Sequence, residues 1–421
     1  MAIRLPTFFS LLPSRFDEIV GTRFMRGVHV RRRRARKGKG IAELGGKPRL
    51  FVDLAVISKH DAGTGIQRVV RALALALSAS APEAGWDIRF VSATRRKGYR
   101  PISWPLQEHV EHVAEIEGRP GDVFLGLDYA LDTIRWHRRQ LARFRRNGGQ
   151  LWFLVHDLLP LQRPDWFSRN TGLRYKAWLD VLAGLADGFL CNSHQTETDL
   201  RQALNERYGL TDGYRTNVIP MGSNILESLT VASAGKGADI APRFDVAVPY
   251  FLMVGTLEPR KGHEDILLAF DALWRLGARE NLVLVGRQGW QVAPLVEWIG
   301  SHREHGARLF WFDDVGDQEL VEIYKGCAGV IIASHAEGFG LPLIEALNND
   351  KPVLARDLAV FRPHEIHGVR YFPADAGTQD LAENIRCWVD DVLADRIAVT
   401  QPESDWRLSA TKLLAALLPG V

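Results

Sequence analysis

The chain has 421 residues, 46% hydrophobic and 24% charged, with a formal net charge of +3. That is length for about two domains of 100–200 residues, each with a packed core, and it excludes a disordered chain. Three well-separated cysteines, Cys191, Cys327 and Cys387, exclude a disulfide scaffold and a Cys-based zinc site and suit a reduced, cytoplasmic compartment.

Taken in chain order, residues 1–40 hold 11 of the 53 Lys and Arg but only Asp17 and Glu18 of the acidic residues, leaving 42 basic against 48 acidic residues in the remainder. The positive charge is thus an N-terminal arm, residues 1–45, and not a uniformly basic nucleic-acid-binding surface. Within it, Phe8–Val20 reads as a short helical stretch. Arg15, Asp17 and Glu18 break its apolar run, which is unlike a signal peptide. No run of 18 apolar residues occurs, so no transmembrane helix is expected. The arm offers itself to an anionic membrane face, with a solvated tail as the alternative.

From Arg49 the pattern changes. Leu50–Ile57 reads as a strand, followed by a Gly63-Thr64-Gly65 turn and a helix with Ile66, Val69, Val70, Leu73 and Leu77 on one face. Short apolar runs at Val123–Leu127, Leu151–Val155, Gly188–Cys191 and Asn217–Ile219 continue the series. Residues 223–248 are rich in small and polar residues and read as a linker between domains. A second series follows, with strands at Tyr250–Val254, Leu282–Val285, Leu309–Phe312, Gly329–Ala333 and Pro352–Ala355. Its helices fall near His263–Leu276, Gln318–Cys327 and Leu341–Asn348. Alternation of this kind predicts an α/β fold of two doubly wound parallel sheets, covering 46–222 and 249–400, with 401–421 as a terminal helix.

Two stretches carry chemistry. Glu337-Gly338-Phe339-Gly340-Leu341-Pro342-Leu343-Ile344-Glu345 joins a strand to a helix. Its glycines permit a close backbone approach to a ligand, and the helix start offers free amides to an anion. Glu258-Pro259-Arg260-Lys261 follows another strand, and two adjacent cations before a helix suit a diphosphate better than the helix dipole. The Gly63–Gly65 turn is neither GxGxxG nor a P-loop, yet its small residues and helix start suit phosphate in the same way. No Asp-x-Asp clamp and no metal-ligand spacing stands out, so no metal or other cofactor is expected.

These stretches together resemble family 4 glycosyltransferases, retaining enzymes of the two-domain glycosyltransferase-B fold. The resemblance rests on EGFGLPLIEAL, FLMVGTLEPRKG (Phe251–Gly262), VHDLLPL (Val155–Leu161), CNSHQTETDL (Cys191–Leu200), VIPMGSN (Val218–Asn224) and GTGIQRVVR (Gly63–Arg71), in the family's order. It runs from about Leu50 to the C-terminus and leaves the arm uncovered. It implies two Rossmann-like domains facing across a cleft, with the C-terminal helix returning to the first domain.

By that resemblance Lys261 and Arg260 bind the donor diphosphate, and Glu337, Gly338, Phe339, Gly340 and Leu341 meet the sugar and phosphate. Glu345 holds the nucleotide ribose. Gly63, Thr64 and Gly65 face the diphosphate from the other domain, and His156 positions the sugar without acting as a strong base. Two departures stand out. Thr256 occupies a position where many members carry arginine, and Pro363-His364 interrupts an Arg–Glu pair at Arg362 and Glu365. Asp157, Asn192 and Ser193 are read as turn and cap residues, or, for the latter two, as acceptor-side residues. The implied activity is transfer of a hexose, with GDP-mannose as the named example, to a glycan or lipid-linked acceptor in bacterial surface polysaccharide synthesis. A nucleotide- or glycan-binding module without turnover and a sugar-nucleotide epimerase of similar fold are the alternatives.

Overall fold

The computed structural model describes residues 46–61, 63–105, 114–222, 244–245, 247–403 and 405–418. The basic arm, with its expected membrane contact, and most of the linker lie outside the described residues. The chain divides into two units. The first holds the described residues up to Pro164, Ser168–Met221 and those from Trp406 onward. The second holds Asp165–Phe167 and those from Gly222 to Asp405.

In the first unit, strands β1 (Arg49–Asp53), β2 (Asp87–Ser92), β3 (Arg100–Pro101), β4 (Val123–Gly126), β5 (Gln150–Val155), β6 (Gly188–Cys191) and β7 (Arg215–Val218) form one sheet, ordered β3-β2-β1-β4-β5-β6-β7. Only the β2–β3 edge is antiparallel. The helices are α1 (Gly65–Glu83), α2 (Leu131–Trp136), α3 (Arg138–Arg146), α4 (Leu159–Gln162), α5 (Arg169–Leu185) and α6 (His194–Tyr208). Every residue of β4 and β6 is buried, so both faces of the sheet are covered. That is why these strands are continuous apolar runs without alternation. Phe51, Phe124, Phe144, Phe153 and Leu179 lie in their shared core.

The second unit carries β8 (Tyr250–Val254), β9 (Asn281–Val285), β10 (Leu309–Phe312), β11 (Gly329–Ile332), β12 (Val353–Arg356) and β13 (Val369–Phe372), ordered β10-β9-β8-β11-β12-β13 and parallel throughout. Its helices are α7 (His263–Arg275), α8 (Ala293–Ser301), α9 (Asp317–Gly326), α10 (Leu341–Asn348) and α11 (Thr378–Leu393). Phe251, Phe270, Leu284, Ile331, Ile385 and Trp388 belong to its core. The last helix, α12 (Trp406–Leu417), packs on α1 in the first unit. Trp406, Leu413, Leu414 and Leu417 are its buried face, and Arg215 Nη1 donates to Leu418 O at 2.8 Å.

Both sheets wind outward from a first strand and then cross to its other side. The strand order therefore reverses between β1 and β4 and again between β8 and β11. Ligands of doubly wound sheets sit outside the carboxyl ends of the strands at such a switch point.

Two sequence boundaries move. The expected strand Leu50–Ile57 stops at Asp53: Leu54 N still donates to Val91 O at 2.9 Å, but the amides after it turn to side chains. Ala55 N donates to Asp53 Oδ1 at 2.9 Å, and Val56 and Ile57 N donate to Asp128 Oδ2 at 2.6 and 2.8 Å. The second unit continues to Asp405, five residues beyond the expected 400, and the first unit resumes at Trp406, the first residue of α12.

Candidate functional site

At the switch point of the second sheet, β8 hands the chain to a turn that only glycine fits at its key corners. Gly255 has φ +147°, and the stem of Lys261 lies over it. Glu258 is extended, Pro259–Lys261 form one tight helical turn, and Lys261 N donates to Glu258 O at 3.0 Å. Gly262, at φ +68°, then starts α7. A Cβ there would stand 2.3 Å from Ala333 O, so no side chain fits this packing. His335 N donates to Arg260 O at 2.8 Å and ties this turn to the one leaving β11.

From that second turn Glu337 reaches the two cations. Its carboxylate accepts from Lys261 Nζ, from Arg260 Nη1 at 3.1 Å and from Ser334 Oγ at 2.7 Å. Arg260 Nε donates in turn to Glu258 Oε2 at 2.8 Å. The Glu337 side chain is 9% exposed. Burial pushes its carboxyl up, but the charges of Lys261 and then Arg260, with the Lys261 and Ser334 hydrogen bonds, outweigh this and hold it down at about 2. It is therefore a fixed carboxylate at any working pH. Two cations and two carboxylates, Glu337 and Glu258, leave the cluster formally neutral.

Beyond Glu337 the chain turns at Gly338, Phe339 and Gly340, of which the glycines are buried and Phe339 is half-buried. Gly340 has φ +92°, and a Cβ on it would strike the Phe361 ring at 2.3 Å. Leu341 opens α10, whose start has no side-chain cap; Pro342 carries no N–H and Leu343 N donates to Gly340 O at 3.0 Å, so of these three positions the Leu341 amide is the one a helix start offers to an acceptor. Glu345 lies in the second turn, 3% exposed, and accepts from Tyr324 Oη at 2.8 Å.

The remaining sequence-predicted residues lie in the first unit. Thr64 caps α1 in a capping box with Gln67: Gln67 N donates to Thr64 Oγ1 at 3.4 Å and Thr64 N to Gln67 Oε1 at 3.3 Å. Gly63 has φ +66°, with open space where a Cβ would sit, and donates its N–H to Asp61 Oδ1 at 3.0 Å. Asp61 also pairs with Arg71, so it orders this turn. Gly65 is the first residue of α1.

His156 follows β5 and is 6% exposed. Burial lowers its imidazole to about 4, against a raising backbone hydrogen bond at Leu127, so it is neutral near pH 7. Its Nε2 is buried without a partner. Asn192 Nδ2 donates to His156 O at 2.8 Å, Ser193 caps α6 through Thr196 N at 3.1 Å, and Asp157 Oδ1 accepts Leu159 N at 3.1 Å.

The structure thus gathers Arg260, Lys261 and Glu337 into one ion-paired cluster with Gly338–Leu341 leading from it, and sets Glu345 further along α10 on Tyr324. Gly63–Gly65 and His156 lie on the other unit. Sequence reasoning gave no role to Glu258, Ser334, Tyr324 or Asp128. Glu258 and Ser334 sat in plain view beside assigned residues. Asp128 is a buried carboxylate at the end of β4, and an acidic residue closing an apolar run was its signal.

Residues 241–399 match the family model described as glycosyl transferases group 1. The chain is 34% identical over 380 residues to the serotype-specific mannosyltransferase WbdA of Escherichia coli, covering 88% of this chain and 45% of that one. It is 33% identical over 113 residues to the O-antigen chain mannosyltransferase B of Escherichia coli, covering 26% and 29%. The chain thus spans about half the length of WbdA. Among solved structures it resembles sucrose-phosphate synthase from Thermosynechococcus elongatus, with a TM-score of 0.56 and 18% identity over 88% of this chain and 95% of that one. Anabaena HepE in complex with UDP-glucose matches with a TM-score of 0.52 and 17% identity over 87% and 94%.

Proposed function

The chain belongs to the group 1 glycosyl transferases through residues 241–399 and has the two-domain glycosyltransferase-B fold, and on that premise we propose that it is a retaining, metal-independent glycosyltransferase of family 4. The observation that carries the reading is the Arg260–Lys261–Glu337 cluster. It stands at the switch point between β8 and β11, beside the uncapped start of α10. The donor is a nucleotide sugar. The mannosyltransferase names of the relatives support mannose as the transferred hexose and a growing bacterial surface glycan as the acceptor.

In this reading Lys261 and Arg260 hold the diphosphate with the backbone amides that lead into α10, up to Leu341, and Glu345 holds the ribose. Glu337, fixed by both cations, presents its carboxylate to the sugar hydroxyls. Gly63–Gly65 are assigned to the diphosphate and neutral His156 to the sugar, through its unpartnered Nε2. The bond from the anomeric carbon to the phosphate oxygen breaks, and the acceptor oxygen attacks on the same face. The acceptor's proton passes to the departing phosphate oxygen. Charge building on that phosphate is met by Lys261 and Arg260 in place of a divalent ion.

Among the described residues no helix is long and apolar enough to cross a membrane. A peripheral position, through the basic arm, on the face of a membrane bearing a lipid-linked acceptor is part of the proposal. A thermal-shift screen against nucleotide diphosphates and nucleotide sugars tests it. A bound donor at 100 times its dissociation constant stabilises by about 2.7 kcal/mol, and absence of any shift with all of them would overturn the reading.

A further inference from the structure

Glu258 has no assigned part in the transfer, yet it is buried at 7% exposure and its Oε2 accepts from Arg260 Nε at 2.8 Å. Arg260 is engaged on its other side by Glu337 and by Ala336 O at 3.4 Å. A diphosphate approaching Lys261 and Arg260 therefore meets cations whose charge two carboxylates already cancel. Glu337 also takes Lys261 and Ser334 and is assigned to the sugar. The Glu258 carboxylate bonds Arg260 alone among these groups, and its Cγ lies beside Gly289, 3.1 Å from where a Cβ there would sit.

We propose that Glu258 sets the affinity of this site for the nucleoside diphosphate, holding it low by cancelling the charge of Arg260 so that the spent diphosphate leaves after transfer. The inference rests on the donor-site reading above. Two roles of Glu258 are separable by sign. If it only orients Arg260, removing its charge weakens or leaves unchanged the binding of a diphosphate. If it competes with the diphosphate for the guanidinium, removing the charge tightens binding. Glu258→Gln isolates the charge, because the amide oxygen still accepts from Arg260 Nε in the same place.

Calorimetric titration of GDP and of UDP into the parent chain and the variant decides the matter. The dissociation constant in Glu258→Gln is expected to fall about tenfold at low ionic strength, with the gain shrinking as salt screens the site. Glu258→Asp keeps the charge and is expected to stay within about twofold of the parent, as a charge effect requires. The melting temperature of Glu258→Gln without ligand is expected to match the parent. Unchanged or weaker binding by Glu258→Gln, with the parent binding normally, overturns this inference and leaves the donor-site reading standing. A parent that binds neither nucleotide overturns both.

Discussion

Lys261 and Glu337 stand 76 residues apart in the sequence and are joined side chain to side chain. The lysine comes from the turn after β8 and the glutamate from the turn after β11, the two strands flanking the point where the sheet reverses its order. Neither turn alone makes a charged site. Together they hold a carboxylate fixed in orientation and two cations at a set spacing, which is the preorganisation that charge stabilisation in a transition state demands.

The two glutamates of the Glu337–Glu345 segment are expected to fail differently. Glu345 lies inside α10 and contacts Tyr324; the ribose contact proposed for it is one made before and during reaction alike. Glu345→Ala should weaken nucleoside diphosphate and donor binding together. Glu337→Ala removes a carboxylate from Lys261 and Arg260 and so should bind the diphosphate at least as tightly, while losing most turnover through misplacement of the sugar. Calorimetry beside initial rates checks this, and equal loss of nucleotide affinity in both variants would refute the division of roles.

His156 gives stability a pH dependence. Its folded value is about 4 against an ordinary 6.5, so the unfolded chain takes up the proton first. The contribution is complete above about pH 6.5 and is lost progressively as the pH falls toward 4. Near pH 5 the loss from this group is about 2 kcal/mol. Denaturant titrations at pH 7 and pH 5 should show a smaller drop for His156→Asn than for the parent. Glu337, held at about 2, adds loss only as the pH falls from about 4.5 toward 2.

Gly340→Ala should damage the start of α10. The position combines φ +92° with a ring carbon of Phe361 at 2.3 Å from any Cβ. Left-handed backbone and the clash together are expected to lower stability by about 1–3 kcal/mol. The donor affinity should fall as the first turn shifts. Thermal melts with and without GDP measure both, and an unchanged melt would contradict the packing described.

The arm, residues 1–45, is expected to bind anionic vesicles. Nine Lys and Arg lie from Arg23 to Lys39 without an acidic residue, and each is worth about 1 kcal/mol near such a surface. Co-sedimentation with phosphatidylglycerol vesicles should drop sharply when residues 1–40 are removed. Equal binding by both forms would dismiss the arm as the contact.

Much of the fold was legible because its strands are buried on both faces. Gly188–Cys191, Tyr250–Val254 and Leu309–Phe312 match their apolar runs end to end, and the Leu341–Asn348 helix follows its turn as read. Strands β2 and β13 escaped: Asp87–Ser92 and Val369–Phe372 mix polar residues into short segments and carry exposed positions. Helix α11 was readable from Leu381, Ile385, Trp388 and Val389 on one face, a period that passed unread. At the site, Lys261, Arg260 and Glu337 stood out singly, but their pairing did not, because spacing along the chain carries no information on which strand ends become neighbours. The hold of Glu258 on Arg260 and of Tyr324 on Glu345 arises the same way.

Steady-state kinetics of the parent chain and Lys261→Ala with GDP-mannose and a mannose-terminated oligosaccharide test the central claim most directly. The parent should release GDP and extend the acceptor. The variant should lose turnover more than it loses donor affinity, because the charge on the departing phosphate is greatest in the transition state. An unchanged kcat with only a raised KM in Lys261→Ala would contradict the leaving-group role. A parent that binds GDP tightly yet consumes no nucleotide sugar would make the protein a binding module.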